Sequence, residues 1–152
     1  MDRASREDPR CWIIHCDGSA VPNPGHMGLG AVLTAPDGTR HALSQATHAT
    51  GCNNEAELLA LMMALRQARA CGATAVLAYS DNSILVEQLG GVAPRPVARL
   101  APLFDKARAL LQSFDSVRFA WIPRHRNHDA DALARAAQGL APKRAPRRKK
   151  AR

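Results

Sequence analysis

Acidic residues stand at the edges of apolar segments in this 152-residue sequence. Asp17 ends an apolar run that begins at Cys11, and Asp81 ends a second run that begins at Ala75. Glu57 opens a segment rich in leucine and alanine. If the two runs are neighbouring strands, both aspartates lie near one edge of a sheet. Carboxylates gathered there repel one another, and Mg²⁺, which prefers oxygen ligands, relieves that repulsion.

Two glutamates compete for a place in this cluster, and helical geometry distinguishes them. At about 100° per residue, Glu57 shares its helix face with Leu61 and Ala64, whereas Glu55 lies on the side of Arg66. A carboxylate on a packed face needs a partner, which here is a metal ion or an arginine. Glu57 is therefore the candidate ligand, and Glu55 is explained as a first-turn acid that suits the helix dipole.

The order of strand and helix patterns predicts an α/β fold with a mixed sheet. Three strands on short connections indicate an antiparallel meander, and the later strand–helix–strand crossovers should be parallel and right-handed. The predicted strands cover residues 11–17, 28–35, 40–46, 73–80 and 116–123, and the predicted helices cover residues 53–70, 83–89, 97–114 and 129–138. Gly18 and Ser19 bound the first strand, turns are expected at residues 21–25 and 36–38, and a proline-stiffened connection is expected at 92–96.

The formal net charge of +8 is concentrated at the C-terminus. The segment from Lys143 to Arg152 holds seven of the 21 basic residues and no acid, which leaves residues 1–142 with a net charge of about +1. Such a tail is typical either of a solvated tag or import signal, or of an arm that binds nucleic-acid phosphates. We expect a flexible N-terminus at 1–10, one domain at 11–140 and a disordered basic tail at 141–152.

The sequence contains no pattern typical of a membrane span, a secretory signal or a C-x-x-C cysteine pair. No apolar run reaches the roughly 18 residues of a membrane span, and residues 1–10 have no apolar core of a secretory signal. The four cysteines form no C-x-x-C pair, which favours reduced thiols in a cytoplasmic protein. A Cys11–Cys16 disulfide is disfavoured because this spacing along a strand points the two side chains to opposite faces.

Several short motifs together resemble those of type 1 ribonuclease H, over about residues 11–139. They are C-D-G-S at 16–19 with N-P-G at 23–25, N-N-E-A-E-L at 53–58, S-D-N-S at 80–83, W-I-P-R-H at 121–125 and D-A-L-A at 131–134. The first two motifs are specific together, and the combination and order make the resemblance strong.

The resemblance implies a ribonuclease H-like fold and a reaction. The expected fold is a five-stranded mixed sheet flanked by helices, and the expected reaction is hydrolysis of the RNA strand of an RNA–DNA hybrid with two Mg²⁺ or Mn²⁺ ions, leaving 5′-phosphates. The metals would be held by Asp17, Glu57, Asp81 and Asp131. His125 would lie in a mobile loop and help product release or proton transfer. We expect a monomer.

The resemblance also implies a substrate groove, lined by Gly18, Ser19, Asn23, Asn53 and Asn54. Cys52 stands where the family often has a threonine that contacts a DNA phosphate, so that contact is expected to be weak or differently built. The chain has no room for the basic protrusion of many members and is similar to the family's compact form. We therefore expect the basic tail to bind the hybrid instead.

Five alternatives remain open. Asp129 competes with Asp131 as the fourth acid, and Asp131 is alternatively a surface ion pair with Arg135. His125 and His128 beside these acids suggest a zinc site, which is disfavoured because the acids suit a harder ion. The protein is alternatively a non-catalytic nucleic-acid binder. A related nuclease of the same fold with a different substrate is the last alternative.

Overall fold

Five strands and four α-helices are present in the computed structural model, which describes residues 8–90 and 98–141. The strands are β1 (Cys11–Ala20), β2 (Gly25–Thr34), β3 (Arg40–Gly51), β4 (Ala75–Ser80) and β5 (Ser116–Trp121). The helices are α1 (Asn53–Ala70), α2 (Ser83–Leu89), α3 (Ala101–Leu111) and α4 (His128–Ala137), with 3₁₀ turns at Ala98–Leu100 and Arg124–Arg126.

The strands form one mixed sheet in the order β3-β2-β1-β4-β5. Strands β1, β2 and β3 pair antiparallel, whereas β4 runs parallel to both β1 and β5. This topology confirms the predicted fold class. Because β1 and β4 are parallel neighbours, their carboxyl ends meet at one edge of the sheet, as the positions of Asp17 and Asp81 required.

Several predicted boundaries were wrong, while α1 and α2 begin and end where the pattern placed them. Strand β1 continues to Ala20, because Gly18 and Ser19, predicted to bound the strand, extend the hydrogen-bonded ladder to β2. Strand β2 begins three residues early, at Gly25, and β3 continues five residues beyond the prediction, to Gly51. The predicted helix at 97–114 is shorter: a 3₁₀ turn precedes it, and the helix begins at Ala101 with Pro102 in its first turn.

Some predictions fall on residues outside the described parts of the chain. These are the N-terminal residues 1–7, the connection at 92–96 and the basic tail from residue 142 onward. Cys11, Cys16, Cys52 and Cys71 are all free, as expected. Within residues 8–90 and 98–141, none of the helices combines the length and apolar character that a membrane crossing requires.

The apolar core lies mainly between α1 and the central strands. Leu58, Leu61 and Leu65 of α1 are buried, and they belong to the same apolar cluster as Ile14 of β1 and Leu33 of β2. Full burial of such a side chain contributes about 1.5–3 kcal/mol. The opposite face of α1 carries the exposed Arg66, in agreement with the predicted helix faces.

Two glycines allow the helices to approach the central strands without an intervening side chain. A Cβ atom on Gly18 of β1 would lie 2.2 Å from the carbonyl carbon of Ala56 in α1. A Cβ atom on Gly30 of β2 would lie 2.3 Å from the carbonyl oxygen of Ala130 in α4. Real Cβ atoms do not approach so closely, so α1 and α4 could not take these positions over any larger residue.

We predict that Gly18→Ala destabilises the protein more than the same change at an open position. At Gly18 the added methyl group overlaps backbone atoms, and overpacking of this kind costs about 1–3 kcal/mol or more. Gly38→Ala is the matched control: nothing lies near its Cβ position, and only its φ of 89° opposes the change, at about 1 kcal/mol. Urea denaturation measures both free energies of unfolding. Equal decreases would contradict the close-approach argument.

Candidate active site

Three carboxylates converge at the edge of the sheet where β1 and β4 end. Asp17 lies in β1 just before Gly18, Asp81 directly follows β4, and Glu57 projects from the first turns of α1. One oxygen from each of the three lies within 4.8 Å of the others. Asp17 and Glu57 are only 7% and 9% exposed. The helix-face argument therefore selected the glutamate that reaches the cluster.

The fourth acid, Asp131, comes from α4. Its carboxyl group is hydrogen-bonded to that of Asp17, and it lines the same cavity of about 160 Å³ as Asp17, Glu57 and Asp81. Asp129, the competing candidate, points elsewhere: it is 71% exposed and forms a 2.8 Å ion pair with Arg40. The structure thus brings Asp131 to the cluster and leaves Asp129 at the surface.

Burial and mutual repulsion raise the pKa values of two of these carboxyl groups. Burial, together with the charges of Asp81 and Glu57, raises the pKa of Asp17 to about 9. Burial likewise raises the pKa of Glu57 to about 7, although the hydrogen bond from Asn82 opposes the shift. The buried Cys16 thiol beside the cluster has a pKa well above its ordinary range, because of burial and the nearby acids. Without a counter-ion the cluster is therefore a poor site for four negative charges.

The donor set fits a hard divalent cation. Carboxylate oxygens are the ligands that Mg²⁺ and Mn²⁺ prefer, and a cation among them would offset the repulsion that raises the pKa of Asp17. In the described parts of the chain, Asp17, Glu57 and Asp81 are the one group whose His, Cys, Asp or Glu ligand atoms lie this close together. His125 and His128 are exposed and do not line the cavity, so the geometry does not support the zinc alternative.

Two asparagines that sequence reasoning did not select position the acids. The side-chain amide of Asn82 donates to Glu57 and, at 2.8 Å, to Asn54, while its oxygen accepts from Leu85 N and caps α2. Asn82 lies inside the S-D-N-S motif, which was the available signal.

The second is Asn127, which is 1% exposed and precedes α4. Its amide donates to the carbonyl of Cys16 at 2.9 Å and to Asp81 Oδ2 at 3.1 Å, so it joins β1, the end of β4 and the start of α4. An asparagine before a helix is usually explained as a cap, and no pattern in the sequence indicates that this one contacts an acid.

The three asparagines predicted to bind substrate are held by their amide oxygens. Asn23 Oδ1 accepts from the Asn53 backbone at 3.1 Å, Asn53 Oδ1 accepts from the Ala20 backbone at 2.8 Å, and Asn54 Oδ1 accepts from Asn82. These bonds fix which end of each amide is the oxygen, so the NH₂ groups are the parts that can donate to a bound partner.

Of the five residues predicted to bind substrate, Gly18, Ser19 and Asn53 line the acidic cavity. Asn23 is hydrogen-bonded to Asn53, and Asn54 is hydrogen-bonded to Asn82, which in turn donates to Glu57. The Ser19 hydroxyl donates to Gln138 Oε1 at 2.9 Å, which leaves its oxygen as an acceptor. The cavity wall therefore offers amide donors and a hydroxyl acceptor next to the carboxylates.

Two arginines, rather than His125, line the acidic cavity. Arg124, next to His125 in the 3₁₀ turn, and Arg135 of α4 both contribute to its wall. The charge of Arg124 is one of the influences that lower the pKa of Glu57. Arg135 Nε donates to the Ala141 carbonyl at 2.7 Å, and the ion pairs among the described residues do not include one between Arg135 and Asp131. The role predicted for His125 stays a prediction.

Comparisons with known proteins agree with this geometry. A family described as reverse transcriptase-like matches residues 15–137. A ribonuclease H of Rhodopseudomonas palustris is 32% identical and aligns over 84% of this chain and 85% of its own length. The chain belongs to the ribonuclease H family of enzymes. The predicted resemblance is thereby confirmed.

Other members of the ribonuclease H family extend the comparison. A bifunctional protein of Mycobacterium tuberculosis is 36% identical to this chain, and the alignment covers 85% of this chain. The aligned part is only 36% of the mycobacterial protein's own length. The structure of a ribonuclease H1 isolated from compost, designated LC11, has been solved in complex with an RNA/DNA hybrid. That protein is 31% identical to this chain and superposes on it with a TM-score of 0.75. The superposition covers 83% of this chain and 95% of the LC11 chain.

The raised pKa values predict how the metal-free protein responds to pH. The folded protein keeps protons on Asp17 and Glu57 that the unfolded chain releases from about pH 4 upward. Stability should therefore fall as pH rises from about 4 towards 9. Asp17→Asn removes one of these groups, and we expect it to raise the Tm of metal-free protein at pH 8 by about 3 °C or more, equivalent to about 1 kcal/mol.

Calorimetry at pH 5 and pH 8, with EDTA or Mg²⁺, measures this effect. Mg²⁺ should raise the Tm of the unmodified protein at pH 8 and that of Asp17→Asn much less. Asp129→Asn is the matched control, because Asp129 is an exposed acid outside the cluster. The explanation is wrong if Asp17→Asn lowers the Tm equally at both pH values.

Proposed function

We propose that this chain is an endonuclease that hydrolyses the RNA strand of RNA–DNA hybrids with two bound divalent metal ions. The convergence of Asp17, Glu57, Asp81 and Asp131 in one cavity carries the proposal. Two further observations support it: the donors beside the cavity suit a nucleic-acid groove, and a relative of the same fold has been solved with an RNA/DNA hybrid.

In this proposal the four carboxylates hold two Mg²⁺ ions, with Mn²⁺ as a substitute. Such ions, when bound, stabilise the charge on the attacking and leaving oxygens of a phosphate during an in-line displacement. Asn82 and Asn127 keep Glu57 and Asp81 in place through direct hydrogen bonds. Arg124 and Arg135 attract the phosphate to the cavity. His125, exposed beside Arg124, assists release of the 5′-phosphate product.

Recognition of the RNA strand follows from the donors and acceptors at the cavity wall. A 2′-hydroxyl both donates and accepts, and it distinguishes RNA from DNA at a given position. The NH₂ groups of Asn23, Asn53 and Asn54 donate to 2′-oxygens or to the acceptors of the minor groove. Ser19, whose hydrogen is committed to Gln138, accepts from a 2′-hydroxyl.

Cleavage of matched substrates tests the proposed function. We expect RNA cleavage in an RNA–DNA hybrid, with double-stranded RNA and double-stranded DNA left intact, and no cleavage when EDTA removes the metal. Asp17→Asn, Glu57→Gln and Asp131→Asn should each lower kcat by at least about 10²-fold, because each withdraws charge from the reacting centre.

Two control variants test whether the loss of activity is specific to the clustered acids rather than to any acid nearby. Glu55→Gln changes an acid in the first turn of α1, two residues before Glu57, and Asp129→Asn changes an acid in the same first turn of α4 as Asp131; both variants should keep most of the activity. Hybrid binding without turnover in Mg²⁺ or Mn²⁺ would establish a non-catalytic binder. Preferential cleavage of a different duplex would establish a nuclease with another substrate.

The basic tail is proposed to contact the hybrid. The last described residue, Ala141, is hydrogen-bonded to Arg135, which lines the acidic cavity, so the part of the chain that the structure describes ends beside the proposed site. Deleting residues 143–152 should weaken hybrid binding and flatten its salt dependence, by about 0.9 in the log–log slope for each phosphate that the tail no longer neutralises.

Titrations of a labelled hybrid at several salt concentrations measure the slope of the full chain and the truncated chain. The same change in a chain whose seven tail cations are replaced by glutamine would show that charge, rather than length, is responsible. An unchanged affinity and slope after deletion would remove the tail from the proposal. Cleavage at saturating hybrid should be retained, because the four acids are unaffected.

A further inference from the structure

Three large apolar side chains of the described residues are strongly exposed, and two of them, Val21 and Trp121, line the acidic cavity or contact the backbone of Asp81 beside it. The three are Val21, Ile84 and Trp121, with exposed fractions of 49%, 40% and 54%. Val21 lines the cavity itself. Ile84 is in the first turn of α2, three residues after Asp81. Trp121 ends β5 and is paired in register with Ser80, the residue before Asp81. Elsewhere in the described chain, large apolar side chains are at least partly covered.

Trp121 is held in place at one edge and leaves much of its indole exposed. Its ring N–H donates to the backbone carbonyl of Asp81 at 3.1 Å, so the polar atom of the side chain already has a partner. Exposure of a large ring is unfavourable in a free protein, and exposed apolar surface concentrated at a site commonly marks a binding contact. The hydrogen bond also fixes the ring relative to Asp81, one of the clustered acids.

We infer that Trp121 is an apolar contact for the sugar–phosphate chain of the strand cleaved at the acidic cluster, an inference that rests on the proposed function. In a base-paired hybrid near the cleaved phosphate, the base faces are stacked inside the duplex. The accessible apolar surface there is the C–H face of the sugars. An indole anchored beside Asp81 meets a sugar next to the phosphate that the acids engage, and Val21 gives a smaller apolar contact at the cavity wall.

Conservative variants separate contact from structural support. Trp121→Ala removes the ring and the N–H, whereas Trp121→Phe removes the N–H and keeps an aromatic face. We expect Trp121→Ala to raise KM for the hybrid by roughly 10-fold, equivalent to about 1.4 kcal/mol of lost apolar contact, with kcat within about twofold. Trp121→Phe should keep KM within about threefold of the unmodified protein.

Trp12→Phe is the matched control, since Trp12 packs beside His41 near the start of β1, whereas Trp121 is hydrogen-bonded to the backbone of Asp81. It should leave KM and kcat unchanged. If Trp121 serves only to hold Asp81, both Trp121→Ala and Trp121→Phe lack the N–H bond and should lower kcat alike. That outcome, or an unchanged KM in Trp121→Ala, overturns the inference.

A fluorescence experiment tests the contact without relying on turnover. The chain has two tryptophans, so Trp12→Phe leaves Trp121 as the single indole reporter. In that protein with Asp17→Asn added to prevent cleavage, a labelled blunt hybrid should change the Trp121 emission in parallel with its own anisotropy. Saturating anisotropy with constant emission refutes the contact alone, whereas no binding by either signal refutes the proposed function as well.

A comparison of hybrids with different ends shows which part of the nucleic acid the Trp121 ring contacts. A blunt hybrid and a hybrid with a single-stranded overhang present the same sugars beside the cleaved phosphate, and only the second offers unpaired bases. Equal emission changes and equal KM effects of Trp121→Ala on both substrates support the sugar contact. An effect confined to the overhang substrate overturns it and assigns Trp121 to base stacking instead.

Discussion

The close contact of two helices with the central strands determines where the acids meet. Because Gly18 and Gly30 have no side chains, α1 and α4 lie against the backbone of β1 and β2. Gly30 is also the register partner of Asp17. Helix α1 thus brings Glu57, and helix α4 brings Asp131, to the edge of the sheet where β1 and β4 end. A gap of one methyl group between helix and strand would separate carboxylates that now lie within 4.8 Å.

The same compactness makes the site unfavourable without a cation. Burial raises the pKa of Asp17 and of Glu57, and the carboxyl groups of Asp17 and Asp131 are hydrogen-bonded to each other. The protein offsets part of this cost with oriented amides: Asn82 donates to Glu57, and Asn127 donates to Asp81. Amides hold the acids without adding charge, so the cluster keeps the negative potential that draws a divalent ion. Cation binding and the arrangement of the site are therefore energetically linked.

Most of the fold and part of the site follow from local patterns in the sequence. Helices α1 and α2 have clear starts and stops, and the period of α1 distinguishes Glu57 from Glu55 because only one of them can share the apolar face. Strand β1 was predicted too short, since an apolar run marks burial, whereas the ladder through Gly18 and Ser19 depends on the position of β2.

Other features depend on contacts between residues distant in the sequence. The choice of Asp131 over Asp129 rested on the resemblance alone, because both residues occupy the first turn of α4. The structure distinguishes them through Arg40, which lies 89 positions away from Asp129. Asn127 was not predicted for the same reason: its partners are Cys16, 111 positions away, and Asp81. Local periodicity carries no information about such pairs.

In the proposed function, recognition of a polyanion by this domain uses more than net charge. Residues 1–142 are close to neutral, and the cavity itself is acidic, with only Arg124 and Arg135 in its wall as cations. We therefore propose that long-range attraction belongs mainly to the basic tail, where it is sensitive to salt. The proposed contacts that depend little on salt belong to the domain: amide donors held by their oxygens, the Ser19 acceptor and the exposed ring of Trp121. In this proposal the tail concentrates nucleic acid, while the domain selects the strand to be cut through the shape and hydroxyl pattern of the groove.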